Sequence, residues 1–283
     1  MASTTPLVDP GAGAARPVSA LGLGCSQVGS FGAAASLSDW RRLMERALDL
    51  GVTVFDTADI YGQGDSERQI GRVLAGRRDA GFVITKIGKG FSPVMGALRP
   101  FKPALKPLLR LAGSRGGAAV RARREGVMRS DFSPARLAGA LDASLRRLRF
   151  DDVDVLLLHG PAADVYRDPA VVETLAGFVR AGKARRVGAS CEDLDDLSAA
   201  LDMPGLGAIQ LSLDLLTAAE AAGLAPALNA DRRLVLLREV VRAQPGIAPV
   251  DAVAAAARRE GVSSVVVGTS RIDHLEALAA ACA

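Results

Sequence analysis

The chain has little of what several common chemistries require. It contains only two histidines, His159 and His274, and three scattered cysteines, Cys25, Cys191 and Cys282. With so few histidines and no CxxC pair, a zinc site is not expected and no metal ligand is assigned. An odd set of distant cysteines is a poor disulfide framework, so a reducing, cytoplasmic setting is expected. Apolar runs are too short, and too often broken by charge, to span a bilayer. The N-terminal stretch lacks a basic region followed by an apolar core, so no secretory signal is read there. Aromatic residues make up 4% of the chain. The most basic stretch has Phe101 but no aromatic series, which argues against nucleic-acid binding.

Hydrophobic residues are 49% and charged residues 23%, which allows a sizeable core and argues against a disordered chain. Residues 1–17, rich in Ala, Gly, Pro and Thr, read as a flexible leader, and residues 18–283 as one domain. The net charge of +4 is uneven. Arg99, Lys102, Lys106, Arg110, Arg115, Arg121, Arg123, Arg124 and Arg129 are met by a single acid, Glu125. A solvated basic loop is the plain reading, and attraction of an anionic cofactor, substrate or partner the functional one.

Short apolar runs alternate with amphipathic stretches. Strands are expected at residues 21–25, 52–55, 82–85, 153–158, 186–190, 207–211, 234–237 and 263–267. Helices are expected at residues 38–50, 65–75, 133–148, 170–181, 192–202, 217–229, 249–260 and 271–282. Ser38 is expected to cap the first helix, with Gly51 ending it, and Ser133-Pro134 to cap and open the third. Residues 87–130 break the rhythm with a long basic loop that has room for a short helix at 104–111. Strand–helix alternation argues for parallel pairing through right-handed crossovers. An open sheet and a closed barrel both satisfy that pattern. The repeat number and the length favour an α/β fold of the (β/α)8 TIM-barrel type.

In such a barrel, reacting groups come from the C-terminal ends of the strands. The second strand ends in Asp56, with Tyr61 just beyond; the third ends in Lys86; the fourth ends in His159. Each has a duller reading: a turn-capping Asp, a packing Tyr, a structural Lys ion pair, a core His. Together they form a coherent set. A lysine ammonium near a phenol favours the phenolate and lowers its pKa. An aspartate keeps the lysine charged, and a histidine hydrogen-bonds a carbonyl oxygen. The four would polarise a carbonyl and protonate its oxygen.

These residues stand in segments that resemble the aldo-keto reductase family: FDTADIYGQGDSERQIGRVL, FVITK and SLRRLRFDDVDVLLLHGP. AGKARRVGAS, AIQLSLDLL and VVVGTSRIDHLEAL resemble its later cofactor-binding strands, so the likeness covers nearly the whole chain. The resemblance implies a single (β/α)8 barrel that reduces a small-molecule carbonyl with NADPH and without a metal. It makes Asp56, Lys86, Tyr61 and His159 the catalytic set, with Tyr61 as general acid. It assigns Ser190 and Gln210 to the nicotinamide carboxamide. Gly268, Thr269, Ser270 and Arg271 go to phosphate, Arg271 to the adenosine 2′-phosphate. Gly24 and Cys25, at the end of the first strand, are expected to line the same cofactor site. Cys191 stands where the family usually has Asn, and Leu213 where it has a stacking aromatic ring. Ala277 and Leu278 replace its adenine-holding Glu and Asn. These departures imply a weaker or faster-exchanging cofactor. They also open a second reading, a redox-neutral elimination, isomerisation or cyclisation on the same polar set. A third is a regulatory binding protein on the same barrel. The basic stretch suggests an acidic substrate.

Overall fold

The computed structural model describes residues 4–5, 16–30, 34–91, 128–230 and 233–283. Eight parallel strands close into a barrel. In chain order they are β1 (Leu21–Gly24), β2 (Val54–Asp56), β3 (Phe82–Ile87), β4 (Val153–His159), β5 (Ala184–Ser190), β6 (Leu206–Ser212), β7 (Leu234–Arg238) and β8 (Ser264–Val267). Each pairs with its chain neighbours, and β8 closes onto β1 through Val265↔Leu21. The helices outside are α1 (Leu37–Asp49), α2 (Asp65–Val73), α3 (Pro134–Leu148), α4 (Pro169–Arg180), α5 (Leu194–Leu201), α6 (Leu213–Ala221), α7 (Pro249–Ala257) and α8 (Ile272–Ala281). The expected (β/α)8 architecture is therefore the observed one.

Strands in this position are covered on both faces, which is why they read as unbroken apolar runs. Alternate residues of one strand enter different cores. Val155 and Leu157 of β4 pack inside the barrel with Val54, Ile84 and Leu236, whereas Leu156 and Leu158 pack outward under the helices. Three strands run further than the apolar pattern suggests. Asp56, Lys86 and His159 are themselves strand residues, paired as Gly24↔Asp56, Lys86↔Leu157 and His159↔Ser190. Their backbones are thus fixed by the sheet.

Local chemistry moves several boundaries. Ser36, not Ser38, caps α1: its hydroxyl accepts from Asp39 N, and Asp39 Oδ2 accepts from Ser36 N at 2.9 Å. That reciprocal box satisfies two free donors, which Ser38 could not do without a partner three residues on. Ser133 sits at the cap position of α3, but its hydroxyl donates to Asp131 Oδ1 at 2.7 Å instead of capping. The helix expected at 217–229 starts earlier, because Ser212 caps α6 through Leu215 N at 3.1 Å. It then breaks at Gly223, whose φ is +76°, before a short helix over Ala225–Leu228. Short helices over Ala163–Arg167 and Val240–Ala243 were not expected. Gly71 marks the contact of α2 with α3, since a Cβ there would lie 2.1 Å from Leu148 O.

Within the segment read as a leader, Thr4–Thr5 pair with Val18–Ser19, and Arg16 is buried. Arg16 donates to Asp152 at 2.7 Å, to Asp154 at 2.9 Å and to Asp79 at 3.0 Å. The folded unit therefore takes in Arg16, just ahead of the boundary read from composition. Of the long basic loop, the two ends form an antiparallel ribbon, Lys89–Phe91 with Met128–Ser130. The helix expected at 104–111 and most of the basic cluster lie outside the described residues. Among the described residues, no helix is long and apolar enough to cross a membrane.

Candidate active site

Asp56, Lys86 and His159 arrive on adjacent strands, and Tyr61 follows β2 as the first residue of a single 3-10 turn, Tyr61–Gln63. Gly62 makes that turn possible: its φ is +58°, and a Cβ would lie 2.2 Å from Val28 O. The sequence brings these four residues to one place, and the structure does the same. Lys86 Nζ donates to Asp56 Oδ1 at 2.5 Å and to Thr57 O at 3.1 Å. Its ammonium lies 5.2 Å from the centre of the Tyr61 ring. The rings of Tyr61 and His159 meet edge-on, 6.0 Å apart at 87°.

The electrostatics follow from burial and neighbours. Burial acts to lower the Lys86 pKa, but the Asp56 carboxylate and the Tyr61 phenol outweigh it and the net shift is upward, so Lys86 stays charged. At Tyr61 burial dominates and raises the phenol, opposed by Lys86 and reinforced by Asp56. Lys86 does pull the phenol down as the sequence suggests, yet the net direction in this protein is up. Tyr61 is thus held in its protonated form. Burial, then the charges of Lys86, Lys89 and Arg238, lower His159 well below the ordinary histidine value. The imidazole is neutral, and its Nδ1 is buried without a hydrogen-bond partner.

The residues assigned to the cofactor divide into three groups. Ser190 and Gln210 are adjacent, but they are engaged with each other and with Asp56. Ser190 Oγ donates to Gln210 Oε1 at 3.2 Å, and Gln210 Nε2 donates to Asp56 Oδ1 at 3.1 Å. Gln210 therefore fixes Asp56, a role no local signal in the sequence conveys. Cys25 and Cys191 are fully buried, so neither thiol presents surface to a ligand. Cys25 donates to Leu23 O at 3.5 Å, and Cys191 N donates to Gln210 O at 2.8 Å. Burial pushes the Cys191 thiol up to about 12, against the nearby Tyr166 hydroxyl, which lowers it. Leu213 opens α6 and is buried.

The third group lies at the ends of β7 and β8, beside a cavity of about 620 Å³. Its walls are mostly apolar, with Val240, Val266, Ala277 and Leu278, and carry Gly268, Thr269 and His274 as well. The direction a Cβ would take at Gly268 is open space. Gly24 adjoins this end, with Gly268 N 3.5 Å from where its Cβ would be. Arg271 is not free: it forms a two-pronged pair with Asp273, Nε to Oδ1 at 3.0 Å and Nη2 to Oδ2, and both side chains are largely exposed. Arg238, which the sequence did not single out, donates to Cys191 O at 3.0 Å and pairs with Glu192 at 2.9 Å and Glu239 at 2.7 Å.

Behind the tetrad lies a second buried cluster. Thr85 Oγ1 donates to Glu67 Oε1 at 2.8 Å, and Arg147 pairs with Glu67 Oε2 at 2.5 Å. Asp59 N donates to Lys86 O at 3.1 Å, while Asp59 Oδ1 is buried without a partner. Burial, reinforced by Glu67 and opposed by Arg147 and Arg136, pushes Asp59 up to about 7. A carboxyl whose folded pKa exceeds its unfolded value of about 3.9 binds its proton more tightly when folded. Stability from this group is present at low pH and is lost as the pH rises from about 4 towards about 7. Asp59→Asn, which keeps the shape and removes the titration, is expected to flatten that limb in thermal melts run across this range. An unchanged slope would remove Asp59 as its source.

Comparison with known proteins gives a consistent picture. The Aldo/keto reductase family matches over residues 20–235. Pyridoxal 4-dehydrogenase of Microbacterium luteolum is 32% identical over 147 residues, 50% of this chain and 40% of that protein. D-threo-aldose 1-dehydrogenase of a Pseudomonas species is 33% identical over 162 residues, 57% of this chain and 45% of that protein. The matches thus span under half the length of these curated relatives. Among solved structures, an aldo-keto reductase from Bacillus halodurans in its holo form superposes with a TM-score of 0.74 at 22% identity, covering 99% of this chain and 91% of that one. An aldo-keto reductase from Klebsiella pneumoniae in complex with NADPH gives 0.64 at 22% identity, covering 94% and 86%. These likenesses show the fold.

Proposed function

The chain belongs to the aldo/keto reductase family, and from that premise we propose that it is an NADPH-dependent oxidoreductase reducing an aldehyde or ketone carbonyl to an alcohol. The observation that carries the reading is the juxtaposition of a charged Lys86, a protonated Tyr61 and a neutral His159 around one point. Tyr61 is the general acid: its hydroxyl hydrogen passes to the carbonyl oxygen as negative charge develops there. Lys86, held by Asp56 and Thr57 O, stabilises the phenolate that remains. His159, kept neutral by burial and neighbouring cations, donates from its ring N–H to the same oxygen and orients the carbonyl. Gln210 keeps Asp56 in place against Lys86.

NADPH, when bound, supplies the hydride. The cavity by β7 and β8 fits its nucleotide end, with apolar walls for a base and Thr269 and the Gly268 backbone for phosphate oxygens. Arg271 would serve the 2′-phosphate by exchanging an exposed ion pair with Asp273, which costs little. Ser190 and Gln210 retain unused hydrogen-bonding capacity for the carboxamide beyond the bonds they make to each other and to Asp56. An acidic substrate suits this site, because the Lys89 ammonium lies beside Gly160, next to His159. A reducing cytoplasm suits a chain whose three cysteines are free thiols.

The test is a titration of the purified protein with NADPH, followed by fluorescence, and then NADPH oxidation over a panel of neutral and acidic aldehydes and ketones. Saturable binding with turnover of at least one carbonyl is expected. Binding of neither NADPH nor NADH would end the redox reading.

A further inference from the structure

The outer face between α2 and α3 carries a groove of about 410 Å³ lined by Arg68, Arg72, Ala143, Arg146, Arg147 and Arg149. Five of six lining residues are guanidinium side chains, on a face none of the catalytic residues occupies. We propose that this groove is a binding site for a small anion carrying several phosphate groups.

The charge balance is one-sided. Two of the five cations have carboxylate partners: Arg68 with Asp65 at 3.4 Å, and Arg147 with Glu67 at 2.5 Å. Arg72 donates to the neutral Gln69 at 3.3 Å. Among the described residues, Arg72, Arg146 and Arg149 have no carboxylate within ion-pair distance, and all three are exposed. The nearby Asp142 of α3 is taken by Lys183 at 2.8 Å. Among the described residues, three positive charges are therefore left without a carboxylate partner around one concavity.

The frame beneath them is rigid. Glu67 is completely buried and is also held by Thr85 at 2.8 Å, so it anchors Arg147 from below. Ser144 accepts from Arg147 Nη2 at 3.0 Å. The close backbone approach at Gly71 fixes the spacing of the two helices. Like charges held this close repel, and an anion that relieves the repulsion is bound with that relief added. Guanidinium forks match phosphate oxygens two at a time, which favours phosphate over isolated carboxylates. The volume is that of a small-molecule site and is too small for a duplex.

The probe is inorganic pyrophosphate, with tripolyphosphate as a longer chain, titrated at low and at physiological salt by calorimetry and by thermal shift. Saturable, salt-weakened binding and a raised melting temperature are expected for the wild type. In Arg72→Gln/Arg146→Gln, which changes exposed residues away from the catalytic set, affinity is expected to fall at least about tenfold. Binding unaltered in that variant would place the anion elsewhere and overturn the proposal, as would an absence of saturable binding. An oligonucleotide bound through the same arginines more tightly than pyrophosphate would overturn it in favour of a nucleic-acid surface. None of these outcomes depends on the redox reading.

Discussion

Tyr61→Phe is expected to reduce carbonyl turnover by about 10²–10⁴-fold, the usual worth of a positioned general acid, while NADPH still binds with near wild-type affinity. The substitution removes one oxygen and keeps the ring that meets His159 edge-on and faces Lys86. Packing is therefore preserved, and the loss isolates the proton. Steady-state rates measured beside a fluorescence titration make the check. Equal losses in binding and turnover would point to a collapsed site, and unchanged turnover would remove Tyr61 from the acid role. The pH profile carries a second sign. Tyr61 is raised from its ordinary value of 10.0, and His159 is lowered well below 6.5. Neither group changes state between these limits, so the reduction rate of the wild type should be flat through neutral pH. A rise or fall centred near pH 7 that persists in Asp59→Asn would assign a different acid.

The second large effect lies at the opposite end of the barrel. Asp154→Ala is expected to destabilise the fold by about 3–5 kcal/mol, the range for breaking a buried ion pair from one side. Asp154 is almost wholly buried. It accepts from Arg16 at 2.9 Å, from Arg78 at 2.7 Å and from the backbone of Val83 at 2.7 Å. Alanine would take one of three carboxylates from the buried Arg16 guanidinium and leave the buried Val83 N–H without its acceptor. Asp152, which also holds Arg16 and Arg185 at 2.7 Å, offsets part of the loss. A thermal or urea melt measures it. Asp152 is partly exposed, so Asp152→Ala should cost less, and equal costs would contradict the burial account. Because the network ties Arg16 to β3 and β4 by their N-terminal ends, turnover per folded molecule should be unchanged.

These two ends were unequally legible. The C-terminal ends of β2, β3 and β4 could be read because each strand is an apolar run that stops at a polar residue. A buried carboxylate, ammonium and imidazole on successive strands need one another. The N-terminal ends gave no comparable signal. Arg16 sits in a stretch whose Ala, Gly and Pro content resembles a loose tail, and its partners are 63, 136 and 138 residues away. Capping was legible as a residue type but not as a position: Ser36 wins over Ser38 only because Asp39 answers it.

By itself, the sequence determined the alternation of strands and helices and the four residues at or just beyond three strand ends, while its repeat number and length favoured a barrel. Those follow from periodicity and residue type, which are local properties of the chain. Only the tertiary structure decided how the four are supported and what else the surface carries. Gln210 reaches Asp56 across 154 residues, and Glu67 braces Thr85 beside Lys86. Arginines from two helices converge on one groove. Cys25 and Cys191, expected beside the cofactor, are fully buried. The physical reason is the same in each case. Burial and hydrogen bonding between distant segments depend on how the barrel closes, and a linear pattern does not encode which side chains then face each other.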